Sequence, residues 1–127
     1  MSNSMTTESI VLSGCLRYLQ ARGLFVWRNN SGATRIAPDR WISFGKKGSS
    51  DILGILPGGR ALCVECKAPD GRLSPEQKQF LERVQGLGGL ALVVRSWQEL
   101  DQALRDSGYA DDGPLFAVHN EEEEANG

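Results

Sequence analysis

Two carboxylates and an ammonium group stand in one of the most apolar parts of the sequence, the stretch GSSDILGILPGGRALCVECKAPDGRLSPEQ at residues 48–77. Asp51 immediately precedes one apolar run, Glu65 is embedded in a second, and Lys67 follows two residues later. In a strand, residues 61, 63, 65 and 67 share one face while 62, 64 and 66 share the other. Leu62 and Val64 are thus expected to face the core, with Glu65 and Lys67 together on the opposite side. Pro57-Gly58-Gly59 between the runs is a hairpin signal. A turn there brings Asp51 to the end of the strand that carries Lys67. The ordinary use of such a trio is a surface ion pair, which contributes about 0–1 kcal/mol. The residue types also suit chemistry. Two carboxylates on rigid strands are hard oxygen ligands for Mg²⁺, a cation that keeps several waters and contacts substrate phosphates. A lysine beside them can orient or help to deprotonate an attacking water and offset charge in a phosphorane-like transition state.

Three further groups can join this cluster. The first helix is expected to start at Thr6 or Thr7 as N-cap and to end near Arg22, before Gly23. Ile10, Leu12, Leu16 and Leu19 supply much of its apolar surface. Glu8 falls on the face of Leu12, Cys15 and Leu19 by the i, i+4, i+7, i+11 pattern. An acid there complements the helix dipole, and on the inward stripe it can also serve as a third carboxylate. The backbone carbonyl of Cys66, between the two functional side chains, offers another oxygen. Gln77 can position water or phosphate, although Ser74-Pro75-Glu76-Gln77 is also a capping box in which it has a structural task.

The elements that must hold these residues follow from periodicity and punctuation. Leu24–Arg28 reads as a strand, residues 29–40 as a turn-rich segment, and Trp41–Phe44 as a short strand before the basic loop Gly45-Lys46-Lys47-Gly48. Residues 51–56 and 60–67 form the two strands of the hairpin. The helix after Ser74 presents Phe80, Leu81, Val84 and Leu87 as its buried stripe and stops at Gly88-Gly89. Leu90–Val94 is a strand, and Ser96 with Glu99 makes a second capping box for a helix running to about Asp106. The order α-β-β-β-β-α-β-α suits an α/β fold with a mixed sheet flanked by helices.

The length of 127 residues fits one domain, expected at 1–110 with an acidic, disordered tail over 111–127. No apolar stretch approaches the roughly 18 residues of a membrane span, and the N-terminus lacks the features of a secretory signal. An odd count of three cysteines points to reduced thiols in a cytoplasmic setting. Cys63 and Cys66 form a CxxC, but strand alternation sends them to opposite faces and no second pair accompanies them. Charge is segregated: residues 17–105 hold all 14 Lys and Arg against eight acids, about +6, whereas Glu121–Glu124 contribute −4. A basic body favours a polyanionic partner.

Asp51 followed by Glu65-Cys66-Lys67 after a hairpin resembles the PD-(D/E)xK nuclease signature. More narrowly, the chain resembles the VRR-NUC family (virus-type replication-repair nuclease), especially its small stand-alone phage and bacterial members. The resemblance rests on Glu8, on Gly23 followed by VWRNNSG, on KKGSSDILGILPGG, on VECKAPDGRLSPEQKQFLERVQGLGG and on LVVRSWQEL, together about residues 8–104. Ser50 stands where the superfamily name has proline. The resemblance implies a restriction-endonuclease-like core and hydrolysis of DNA phosphodiesters with Mg²⁺ or Mn²⁺. Asp51, Glu65, Glu8 and the Cys66 carbonyl would hold the metal, Lys67 would serve the nucleophilic water, and Gln77 would complete the site. Branched, flapped or Holliday-junction-like DNA and a homodimer are implied in the same way. Arg28, Arg35, Arg40, Lys46, Lys47 and Arg72 are the expected contacts to the DNA backbone. A catalytically silent DNA-binding or assembly module on the same fold is the alternative, and RNA cleavage is a third possibility.

Overall fold

The computed structural model describes residues 6–110. Helix α1, Thr7–Ala21, begins where the Thr6 hydroxyl accepts the Ser9 amide at 3.1 Å, and it ends at Arg22 before Gly23 enters the left-handed region at φ 75°. Strands β1 (Phe25–Arg28), β2 (Gly32–Ala37), β3 (Arg40–Phe44), β4 (Ile52–Leu56) and β5 (Arg60–Cys66) follow. Helix α2 (Pro75–Gly86), strand β6 (Leu90–Val94) and helix α3 (Trp97–Asp106) complete the order. The elements expected from sequence occur in the expected order. The structure adds β2, in the segment read as turn-rich.

Strands β1, β4, β5 and β6 form one sheet in that spatial order, antiparallel except for the β5–β6 pair, so β5 is an interior strand. The 57–59 turn closes the β4–β5 hairpin as its glycines suggest, pairing Leu56 with Arg60 and Ile52 with Val64. Strands β2 and β3 make a separate two-stranded ribbon.

The register decides what is buried. Leu62, Val64 and Cys66 of β5 join Cys15 and Leu19 of α1, Ile52 and Leu56 of β4, Val94 of β6, and Leu100 and Leu104 of α3 in one core. Cys63 and Glu65 lie outside that cluster, on the side where Gln77 of α2 meets Glu65. Helices α1 and α3 therefore cover one face of the sheet and α2 covers the other. Cys63 and Cys66 do point to opposite faces, and all three cysteines are free and buried.

Three side chains depart from the expected pattern. Ile10 is exposed because it lies off the Leu12–Cys15–Leu19 stripe, and Leu87, the C-cap of α2, is exposed because the helix has already ended. Glu99 reaches past the Ser96 amide to accept the Arg95 amide at 2.8 Å, so α3 keeps only the serine half of its capping box. The tail from residue 111 lies outside the described residues.

Leu100 is fully buried where α3 meets the sheet. Leu100→Ala should destabilise the fold by about 2–5 kcal/mol, measured as a lower urea midpoint at unchanged slope.

Candidate functional site

Asp51 sits immediately before β4, where two hydrogen bonds to it and two to the preceding serines fix its position. The Cys66 amide donates to Asp51 Oδ2 at 2.8 Å, tying the start of β4 to the end of β5. The Asn29 amide donates to the Asp51 carbonyl at 2.8 Å, and the Asn29 side chain donates to the Ser50 carbonyl at 3.0 Å and the Ser49 hydroxyl at 2.6 Å. Asn29 was not singled out from sequence, where its signals were its place in a turn-rich run and in the VWRNNSG segment. Gly48 brings the preceding loop against α2: it has φ 82°, and a Cβ there would stand 2.5 Å from the Glu76 carbonyl oxygen. Only glycine satisfies both conditions.

Glu65 and Lys67 do not project into solvent. Glu65 is 1% exposed and Lys67 7%, which overturns the reading of a surface ion pair. Alternation assigned them correctly to the side away from Leu62 and Val64, but α2 covers that side too. Lys67 Nζ lies 3.5 Å from Glu65 Oε2 and 4.0 Å from Glu8 Oε1. The Lys67 amide is anchored to the Val94 carbonyl at 3.0 Å, so β6 holds the backbone that carries it.

Gln77 has the capping task that its position in the sequence suggests, and its side chain also reaches Glu65. Its Oε1 accepts the Ser74 amide at 2.9 Å while the Ser74 hydroxyl accepts the Gln77 amide at 3.1 Å, completing the capping box. Its Nε2 donates to Glu65 Oε2 at 3.1 Å. The cap orients the amide, and the amide then holds the carboxylate.

Glu8, in the first turn of α1, completes a cluster in which one carboxylate oxygen each from Glu8, Asp51 and Glu65 lie within 4.8 Å of one another. Two ligands on opposite sides of Mg²⁺ stand about 4.2 Å apart, twice a metal–oxygen distance of about 2.1 Å, so this spacing is close to that of a divalent-cation site. Glu65 Oε1 is buried and has no hydrogen-bond partner, a vacant acceptor of the kind a cation satisfies. Burial first, and the Asp51 charge second, push the Glu65 carboxyl up to about 8, with Lys67 opposing them. The donor set thus fits a hard cation. The Cys66 thiol lies on the core face, hydrogen-bonded to Cys15, which leaves only its carbonyl as a candidate ligand.

A cleft of about 430 Å³ opens onto Glu8 and Asp51 and is lined also by Thr6, Arg28 and Ala68. Arg28 is thus at the site. Lys46 and Lys47 line a second groove with Gln79, Phe80 and Arg83 of α2, and Lys47 Nζ is 3.7 Å from Glu76. Arg35 and Arg40 are on the β2–β3 ribbon, Arg35 donating to the Ala37 carbonyl at 3.2 Å, and Arg72 is exposed in the loop after Lys67.

Comparison with known proteins agrees with this architecture. The family model of the VRR-NUC domain matches residues 7–98, and the chain belongs to that family. A solved structure of a VRR-NUC domain superposes with a TM-score of 0.59 at 26% identity, covering 80% of this chain and 97% of its own. The chain is also 37% identical over 65 residues to the "Putative nuclease p44" of Acyrthosiphon pisum secondary endosymbiont phage 1, covering 51% of this chain and 69% of that protein. Among the described residues no helix is long and apolar enough to cross a membrane.

The Glu65 shift has a stability consequence in metal-free protein. A carboxyl raised from 4.5 to about 8 by folding stabilises the fold in its protonated form. That contribution is fully present below about 4.5 and is lost as pH rises through about 8. Thermal melts in chelator should fall across this window for the wild type. Glu65→Gln should flatten the fall and melt higher than wild type near pH 8; an unchanged slope would assign the pH dependence to another group.

Proposed function

We propose that the chain is a divalent-metal-dependent endonuclease that hydrolyses DNA phosphodiester bonds. The observation that carries this reading is the convergence of three carboxylates within 4.8 Å, with a buried ammonium 3.5 Å from the innermost of them. Like charges gathered at such spacing raise one another's energy, which a binding site explains and a structural ion pair does not. Membership of the VRR-NUC family and the phage relative's name support nuclease chemistry.

Glu8, Asp51, Glu65 and the Cys66 carbonyl would hold Mg²⁺ or Mn²⁺. Bound there, such a cation would supply polarisation of the phosphodiester and would favour ionisation of an adjacent water. The chain's own residues supply the rest. Lys67 is held by Glu65 and Glu8, where its ammonium can orient the attacking water and meet charge gathering on the phosphoryl oxygens. Gln77 keeps Glu65 in place, and the Cys66 amide does the same for Asp51. Water adds to phosphorus and releases a proton to solvent as the bond to the leaving sugar oxygen breaks, and that oxygen takes a proton from solvent. Arg28 at the cleft, with Arg35, Arg40, Lys46, Lys47 and Arg72 beyond it, holds the DNA backbone. Among the described residues nothing resembles a helix shaped to read the major groove, which favours structure-selective recognition of branched, flap or Holliday-junction-like DNA. One active site per chain implies that symmetric cleavage of two strands uses a homodimer. The setting is the cytoplasm of a bacterium or a phage-infected host.

The test is cleavage of labelled linear, flap and four-way-junction DNA in Mg²⁺ or Mn²⁺ against chelator. Wild type should cut only with metal. Lys67→Ala and Asp51→Asn should lose at least about 10²-fold in rate while still binding DNA. Undiminished cleavage by Asp51→Asn would overturn the assignment. Binding without metal-dependent cleavage of any substrate by wild type would identify a DNA-binding or assembly module instead.

A further inference from the structure

Apart from the DNA-backbone contacts of Arg35 and Arg40, the β2–β3 ribbon has no task in the function proposed above. Among the described residues it is hydrogen-bonded as a sheet only to itself, and all of its residues except Ala37 are exposed. A two-stranded hairpin is marginal in water, yet this one displays Trp41 at 64% exposure, with Ile36, Ile42 and Phe44 also well exposed. Arg35 stands opposite Trp41 and Ala33 opposite Ser43, so these four share one face. Phe44 lies on the other face over Gly32, its ring 3.4 Å from where a Cβ would stand. Ala33 and Ser43 on the face of Trp41, and Gly32 beneath Phe44, add little bulk beside the rings. At the base of the ribbon, Phe44, Gly32 and Lys47 line a recess of about 330 Å³.

Charge identifies what these rings would meet. Residues 25–48 contain five cations (Arg28, Arg35, Arg40, Lys46 and Lys47) and one acid, Asp39. Docking a second copy through this surface would set like charges against each other, whereas a nucleic-acid strand brings phosphates for the cations and flat bases for the rings. The ribbon also leaves the sheet beside the site. Asn29 at its entrance binds the Asp51 carbonyl and the Ser49 hydroxyl, and Ser49 at its exit bonds back to the Lys46 carbonyl.

We infer that the β2–β3 ribbon is a stacking platform for unpaired nucleobases, with Trp41 as its principal stacking residue and the flanking Arg and Lys side chains holding the strand's phosphates. This rests on the nuclease reading and narrows its substrate class to DNA with a single-stranded segment adjoining the bond to be cut.

The experiment measures anisotropy of a labelled single-stranded oligonucleotide and of a blunt duplex of equal length in chelator, where no cleavage occurs. Trp41→Ala should weaken single-strand binding about tenfold or more and duplex binding less than about twofold, and Trp41→Phe should recover most of the loss. Trp41 lies outside the core, so circular dichroism and the core melting transition should not change. Unchanged single-strand affinity in Trp41→Ala, or equal losses for both ligands, would overturn the platform. So would a dimer, detected by sedimentation, that Trp41→Ala dissociates without affecting oligonucleotide binding. Because binding is read without metal, these failures leave cleavage dependent on Asp51 and Lys67 intact. Failure of the nuclease reading would appear instead as binding without cleavage.

Discussion

Glu65 is a carboxylate at 1% exposure in an interior strand, and much of the surrounding structure answers to it. Removing a charge from water is costly unless partners replace the hydration. Here Lys67 and Gln77 both address Oε2, while Oε1 is left without a partner. Each partner is itself tied down: Lys67 through its amide to β6, and Gln77 through the cap of α2. The helix cap and the parallel strand pair, which look like generic framework, thereby set the geometry of one oxygen atom.

Much of this was legible in the sequence. A period of two divided β5 into its faces, the Pro-Gly-Gly turn returned Asp51 to the end of β5, and the helical stripe placed Glu8 inward. The depth of the site was not legible. Alternation says which side of a strand a residue occupies, but not whether a helix covers that side, and α2 does. Gln77 shows a different limit. The capping box and the site compete for it only while its amide is treated as one group, whereas its oxygen and nitrogen serve them separately. Strand β2 escaped notice because Asn29, Asn30, Gly32 and the nearby Pro38 read as turn chemistry, and because no apolar face alternates across it.

The molecule divides its residues by burial as well as by charge. Glu65 sits within an interior strand, Asp51 and Lys67 at the ends of β4 and β5, and Glu8 in the first turn of α1. The cations of the ribbon and of the 45–48 loop lie on exposed backbone joined to the site at Asn29 and Ser49. Such a division suits a centre that must keep sub-ångström spacing beside a surface that adapts to its ligand.

The bond from the Lys67 amide to the Val94 carbonyl also bears on how the protein is made. Synthesis proceeds from the N-terminus, so Glu8, Asp51, Glu65 and Lys67 all leave the ribosome before β6 exists. Until residues 90–94 emerge, the strand carrying Glu65 has one open edge and Lys67 has no backbone anchor. The nascent chain therefore holds all four of these side chains before it holds their geometry, which waits for residues 90–94.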